Sequence, residues 1–486
     1  MYTDQGEYIR NRGLLSMDSI KDLLEIWKNQ TSLLAFEEEA TAYMYQFMRR
    51  SVEQVFSLLD QAITREKQAE GWKVDSHKDQ RILQFLFGPV TLYHTRMINP
   101  EGHACYPLDN LLRLRKHMRY SPNVEYETAT LASRMTCREV VKTLATWTQV
   151  QMSHTTVMRC VRAVGEAQEK QDQELVIQAE NGELDGKRQP NFLFAEADGT
   201  FVRGLKKRQH IEIKHFILYE GWVKNGKRRL LKEPYAVMTS KGLDTFWEQV
   251  GAAVEQRYRL WQTQVVANSD GGVGYDEAHF KDAFCGSHKR IWVQLDAFHV
   301  AQSLIRSLHG DKAWITRIQQ AIQRKDRTEV ILLLDTYESN LDEDERIKQV
   351  EKVKQYLIGH WDRLFDWREI MAKETLPENA GRLGAMESNQ RHLTFRMKKR
   401  GMHWGESEEG MVKVIQGIRN GTLKAAYLSS FIPTKRDERI IKKMIRIASL
   451  LKEPTVPSIG AHRGRIGTNA SSSSAVGKLN KVLTFA

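Results

Sequence analysis

Cysteine is scarce in this sequence, and the few cysteines present do not cluster. Cys105, Cys137, Cys160 and Cys285 are the only four in 486 residues, and no two form a C-x-x-C pair. That excludes a disulfide scaffold and a zinc ribbon, and leaves reduced thiols as the expectation. No stretch approaches the roughly 18 consecutive apolar residues a membrane-spanning helix needs. Met1 to Glu7 lack the apolar core of a signal peptide, so a cytoplasmic, nucleoid-associated protein is expected. Acidic charge is also in deficit: 61 Asp and Glu against 73 Lys and Arg leave a formal charge of +12. A surplus of that size favours a polyanionic partner, with nucleic acid the first candidate. The hydrophobic fraction of 41% and charged fraction of 28% are those of a soluble globular chain, and the length suits several domains.

Helical spacing dominates the start. Leu23, Leu24, Trp27, Leu33, Leu34, Phe36, Tyr43, Met44, Phe47 and Met48 recur at three- and four-residue intervals, giving an N-terminal helical region over 1–75. From Arg81 to Tyr106 the β-branched and aromatic alternation of strands takes over, with a turn at Asn99-Pro100-Glu101-Gly102. His94, His103 and Cys105 lie in this hairpin unit but lack a fourth ligand for zinc.

Within 76–166 the hairpin leads into a helix-turn-helix-like module. A basic run containing Arg115, Lys116 and Arg119 suits phosphates. A helix over 128–133 and one over 136–147 follow. After a break at 148–152, a third helix is capped by Ser153 and carries His154, Thr155, Thr156 and Arg159 as groove-facing residues. An ordinary helical hairpin is the alternative. The charged, glutamine-rich stretch 166–190 reads as a linker.

A mixed α/β pattern then opens. Asn191 to Asp198 is an apolar strand ending in acid. Further strands are expected at 200–203, 209–219 and 228–239, then a helix, the strand 264–269 closed by Asp270, a helix, and the strand 290–295 closed by Asp296. This order is that of an RNase H-like mixed five-stranded sheet, its first part spanning 190–308. An all-helical insertion over 309–384 interrupts it. The last core helices occupy 385–450, with Glu387 opening one of them, and 451–486 reads as a disordered tail.

Asp198 and Asp270 would close neighbouring strands, and Glu387 would join them from a late helix. Three carboxylates so placed can hold two Mg²⁺ ions, or Mn²⁺ in their place, for phosphoryl transfer. Glu196 shares a face with Asp198, while Asp296 and His299 stand near enough in sequence to support the ligands or cap a helix. The basic stretch Lys398, Lys399, Arg400 with His403 and Trp404 suits a DNA end, the cations meeting phosphates and the indole stacking on an unpaired base; a solvated helix end with Trp404 packed in the core is the alternative.

Taken in order, Glu196-Ala197-Asp198-Gly199-Thr200, Ser269-Asp270-Gly271-Gly272, Leu295-Asp296-Ala297-Phe298-His299, and Glu387 with Arg396 to Trp404 resemble the ISLre-type bacterial insertion-sequence transposases, which are similar to the mutator-like DDE transposases. The resemblance covers roughly 80–410. It implies Asp198, Asp270 and Glu387 as a DDE triad, a helical insertion before the third acid, and a homodimer or higher homo-oligomer acting on double-stranded DNA, both transposon ends and target. Asp296 stands where mutator-like relatives have Cys, and His299 matches their His. An RNase H-like nuclease without strand transfer and a transposase-derived DNA-binding regulator are the alternative readings.

Overall fold

The computed structural model describes residues 17–442, apart from 227, 378, 433, 434, 436, 437 and 440; the expected tail lies outside the described residues. Two compact units divide the described chain. Arg115–Ile432 makes up most of the first; Arg50–Arg81 and Thr91–Leu114 belong to the second.

Helices α1 (Met17–Lys28) and α2 (Leu33–Ala69) precede strands β1 (Lys73–Phe85), β2 (Gly88–Ile98) and β3 (Ala104–Cys105), which form a sheet in the order β1-β2-β3, and the short α3 (Pro107–Leu111). In the second unit Ala62 and Ile63 of α2 pack against Leu92 and Leu108. His94 is bonded to Asp109 at 2.8 Å and stacked on Tyr106 at 4.1 Å, so its place is in the packing.

The large unit is built on a five-stranded sheet of order β10-β9-β4-β5-β8. Its strands are β4 (Phe192–Arg203), β5 (His210–Tyr219), β8 (Tyr235–Thr239), β9 (Gln264–Ser269) and β10 (Trp292–Leu295). β4, β5 and β8 run antiparallel; β9 and β10 are parallel to β4. The expected mixed α/β sheet is therefore present. Two details differ. β4 does not stop at Asp198 but continues through Gly199 to Arg203, because β5 pairs with it along the whole length, from Phe194↔Tyr219 to Arg203↔His210. The strand expected over 228–239 is two strands: β7 (Arg228–Leu231) closes a separate hairpin with β6 (Trp222–Asn225), and only β8 joins the main sheet. Pro234, which cannot donate to a ladder, and Glu233 at φ 52° divide them.

Both faces are covered, so β4 reads as a nearly unbroken apolar run. Leu193, Ala195 and Ala197 face α7 (Leu243–Arg257) and α8 (Glu277–Ala283), packing with Phe246, Val250 and Phe280. Phe194 points the other way, within 4.7–5.5 Å of the Trp222, Trp367 and Tyr219 rings. Truncating it to alanine would cost about 3–5 kcal/mol. That second face also carries α4 (Pro122–Ala132), α5 (Cys137–Trp147), α6 (His154–Glu180), α14 (Ala385–Met397), α15 (Glu408–Asn420) and α16 (Leu423–Ser429). Between β10 and α14 come α9 (Ala297–Ser307), α10 (Lys312–Gln323), α11 (Arg327–Ser339), α12 (Asp344–Gly359) and α13 (Trp367–Ile370). Leu304, Ile318, Leu334, Val353 and Leu357 give α9–α12 a core of their own.

The linker expected over 166–190 is helical as far as Glu180. Part of its polarity is buried: Gln168, Glu169 and Asp172 turn inward while the polar residues between them are exposed. Glu169 and Asp172 meet Lys413, Gln249 and Gln416, with Lys413 Nζ 2.7 Å from Asp172 Oδ2 and 2.8 Å from Gln249 Oε1. Upstream, α5 starts in a capping box of Thr136 and Glu139, and Ser153 caps α6 by accepting from the Thr156 amide. The first helix of this group begins at Pro122, earlier than the expected 128, with Ser121 as its cap.

Candidate active site

The register of β4 and β9 pairs Glu196 with Asn268 and Ala197 with Ser269. One step further along, Asp198 and Asp270 stand at the same level of the sheet. Alternation puts Glu196 and Asp198 on the same face of β4. α14 crosses that face and brings Glu387 in its first turn. Asp198, Asp270 and Glu387 line one cavity of about 100 Å³, together with Asn268, Asp296, Phe298, His299 and Gln390.

Each acid is held by a different element. Gln390, one turn after Glu387, donates its Nε2 to Asp198 Oδ2 at 2.7 Å. His299 Nε2 lies 3.6 Å from the same oxygen, and that carboxylate raises the imidazole pKa. Asp270 follows β9 in a tight turn: its Oδ1 accepts from the Gly272 amide at 2.9 Å, and its carbonyl accepts from the Tyr356 hydroxyl at 2.8 Å. Gly271 has φ 73°, and a Cβ there would lie 2.7 Å from Leu295 Cδ2, so glycine is required. Burial, reinforced by Asp270, pushes the Tyr356 hydroxyl up to about 12, so it remains a donor at neutral pH. Arg363 reaches from the helical segment to Ser269 Oγ (3.4 Å) and the Val293 carbonyl (3.1 Å).

Asp296 is a helix cap. Its Oδ1 accepts from the amides of Phe298 and His299, and its Oδ2 from Asn268 Nδ2 at 2.8 Å. Glu196 is wholly buried and accepts from the Tyr219 hydroxyl at 2.7 Å and from the amides of Gly384, Ala385 and Met386 at 3.0–3.2 Å. Burial pushes its pKa up; the tyrosine and the amides pull it back.

The donor set suits a hard divalent cation. Four carboxylates and one imidazole line the cavity, and the buried Asn268 Oδ1 has no hydrogen-bond partner. Among the described residues no three His, Cys, Asp or Glu side chains stand close enough together, as placed, to hold a metal ion between them. Mg²⁺ does not need one, since it keeps several waters and takes one or two carboxylates plus substrate oxygens.

None of the residues expected to contact DNA lines this cavity. Lys116, Arg119, His154, Thr155, Arg159, Lys398, Lys399 and His403 are exposed, and Thr156 is partly buried under Ser153. Arg115 is bonded to Glu125 and to the Tyr427 hydroxyl, and Arg400 sits over the Phe395 ring with Glu139 3.4 Å away. Trp404 corrects its expectation: it is 2% exposed, with Nε1 donating to the Met397 carbonyl and the Arg396 guanidinium 5.2 Å above its ring. A ring so enclosed offers no face to a base. Gln390 and Asn268 went unread as site residues, although one lies at helical spacing from Glu387 and the other at strand spacing from Asp270. Tyr356 and Arg363 left no signal in the sequence. Neither did His215, which pairs across the strands with Asp198, is fully buried, and has neither ring nitrogen bonded. Burial drives its pKa well below the usual imidazole value.

Among the described residues no helix is long and apolar enough to cross a membrane. Comparison with solved structures aligns the chain with the Drosophila P element transposase strand transfer complex, over 68% of this chain and 87% of that one, at 11% identity and a TM-score of 0.21. A superposition that poor carries nothing about fold or chemistry. A Streptococcus gallolyticus protein described as "UPF0236 protein in vanSb 3'region" is 29% identical over 471 residues, 96% of this chain and 100% of that protein. The model of the uncharacterised protein family UPF0236 matches residues 26–427, most of the chain, and the chain therefore belongs to that family.

Proposed function

We propose that this chain is a DDE transposase of a bacterial insertion sequence, of the ISLre type, that binds transposon ends and performs metal-dependent strand cleavage and strand transfer. The observation that carries the reading is the shared cavity of Asp198, Asp270 and Glu387, two acids from adjacent parallel strands and one from the first turn of a crossing helix. Strand order β10-β9-β4-β5-β8, with an antiparallel trio and two parallel strands, supports an RNase H-like assignment. The charge of +12 and the exposed cations of α6 and of the segment after α14 support DNA as partner.

Asp198, Asp270 and Glu387 would hold the Mg²⁺ pair, which when bound activates an attacking water or 3′-hydroxyl and offsets charge on the leaving oxygen. Gln390 fixes the Asp198 carboxylate in rotation. His299 stands beside Asp198, whose carboxylate favours a proton on the imidazole. The Tyr356 hydroxyl and Gly271 hold the backbone turn that presents Asp270.

Labelled DNA carrying the sequences that flank the gene, incubated with the protein and Mg²⁺, should give nicked and joined products, and Asp270→Ala should give neither. Full activity in Asp270→Ala refutes the reading. Nicking without joining by the parent protein would favour the simple nuclease, and binding without either product the regulator.

A further inference from the structure

The side chains beneath the three acids form a polar layer of their own. Along β4, β9 and the start of α9, the residues two positions before the site are Glu196 (before Asp198), Asn268 (before Asp270) and Asp296 (before Phe298, with His299 next). Glu196 and Asn268 are register partners, and Asn268 also pairs with Gln294 on β10. Asn268 Nδ2 donates to Asp296 Oδ2 at 2.8 Å and reaches Glu196 Oε2 at 3.4 Å. The layer thus ties three neighbouring chain segments together at the floor of the cavity, which Asn268 and Asp296 themselves line and Glu196 underlies.

Glu196 extends the layer to a fourth element. Its Oε1 accepts from the Gly384 and Ala385 amides and its Oε2 from those of Gly384 and Met386. These are the opening amides of α14, which ordinarily go to a capping side chain or to water. Gly384 turns them toward Glu196 by adopting φ 114°, which glycine tolerates and other residues rarely do. Gly384 has no side chain to cap the helix itself. Among the described residues every hydrogen-bond partner of the Glu196 carboxylate donates to it and none is a Lys or Arg, so it is held by helix-end amides, one hydroxyl and one side-chain amide. The next residue after the last bonded amide is Glu387.

We propose that Glu196 is a positioning residue of the site: it clamps the start of α14 to β4 and so fixes Glu387 beside Asp198, two residues along the same strand. The inference rests on the metal-dependent reading above. The clamp and the Gln390–Asp198 bond are two fastenings one turn apart on α14, and together they set both the height and the rotation of that turn. Cleaving this pair of fastenings separately should loosen the third acid without removing any ligand.

The test is Mn²⁺ binding to the full-length protein without DNA, read by the loss of the free-ion paramagnetic resonance signal, with thermal melting of each variant alongside. Glu196→Gln keeps the shape but points an amide donor at helix amides, which should weaken Mn²⁺ binding roughly 10–100-fold, as loss of a ligand-orienting partner does. Gly384→Ala attacks the same clamp from the helix side, through backbone strain alone because its Cβ would meet nothing closer than 4.0 Å, and should act in the same direction. Tyr219→Phe removes a donor to the same carboxylate without touching α14; it should lower the melting temperature and leave Mn²⁺ binding intact. Should Glu196→Gln fail to fold, Gly384→Ala decides. The inference is overturned if the clamp variants bind Mn²⁺ like the parent while Asp198→Ala does not. It is equally overturned if Tyr219→Phe loses affinity in step with its melting temperature, since the role is then only structural. If Asp198→Ala itself binds Mn²⁺ normally, the metal reading of the site fails instead.

Discussion

Replacing Lys413 with methionine tests whether the polar core between α6, α7 and α15 is held by charge. The Lys413 side chain is fully buried, with Nζ 2.7 Å from Asp172 Oδ2, 3.0 Å from Glu169 Oε2 and 2.8 Å from Gln249 Oε1. At an effective dielectric of about 20, each ion pair at that separation is worth about 5–6 kcal/mol before desolvation. Burying the ammonium offsets much of this, but removing it leaves Asp172 without a cation and Glu169 with Lys241 alone, both carboxylates being about nine-tenths buried. Breaking such a pair costs about 3–5 kcal/mol. Urea unfolding at neutral pH, followed by tryptophan fluorescence, should report that loss. The pH dependence gives a second arm. Burial acts to raise the Glu169 pKa, yet Lys413 and Lys241 outweigh it and hold the group below its usual 4.5. A depressed acid stabilises above its unfolded pKa, so the parent should lose stability as pH falls below about 4.5. Lys413 is raised above 10.5, so its own contribution is complete below that value and is lost only at higher pH. In Lys413→Met the carboxylates, Asp172 above all, take up protons more readily on acidification, and the gap between variant and parent should narrow toward pH 4. A loss below about 1 kcal/mol, or a gap that does not change with pH, would refute the reasoning.

Gly271→Ala should cost about 1–3 kcal/mol through its positive φ and the contact with Leu295 and, on the proposed transposase reading, should impair DNA cleavage in gel-based assays even where the protein remains folded. Trp404→Ala should destabilise by about 3–5 kcal/mol in urea unfolding, whereas a base-stacking tryptophan would leave stability unchanged and weaken DNA binding alone. Lys398→Ala and Lys399→Ala should leave stability within about 0.5 kcal/mol. Each should lower the slope of log affinity against log salt by about 0.9 if it meets a phosphate, measurable by fluorescence anisotropy on duplex DNA.

The two strand acids were legible because each apolar run around them ends in a carboxylate, and parallel pairing brings the two runs together. The length of β4 was not legible. Gly199 falls between the two expected runs, yet β5 pairs straight through it, and glycine fits there because a Cβ would meet Glu212 Oε1 at 2.4 Å. The linker over 166–190 was misread for a related reason: polarity suggests solvent, and nothing local to Gln168, Glu169 and Asp172 announces that a lysine 241 residues beyond Asp172 will meet them. Trp404 has the opposite failing. Its basic neighbours face outward, as their composition suggests, while the ring between them turns inward to Arg396. The Ser153 cap, and to within a residue the start of α5, were readable because both ends of a capping bond lie within one turn.

β4 and α14 are joined at both ends. The start of α14 is bonded to Glu196, and beyond its far end the Trp404 amide donates to the Arg203 carbonyl at 2.9 Å. Seven strand steps from Glu196 to Arg203 span about 23 Å, and 13 helical residues about 20 Å, so helix and strand match in length. The helix is thus fastened to the strand on both sides of its length. On the transposase reading proposed above, Glu387 needs no delivery step, and product should appear without a lag once DNA and metal are mixed with the protein.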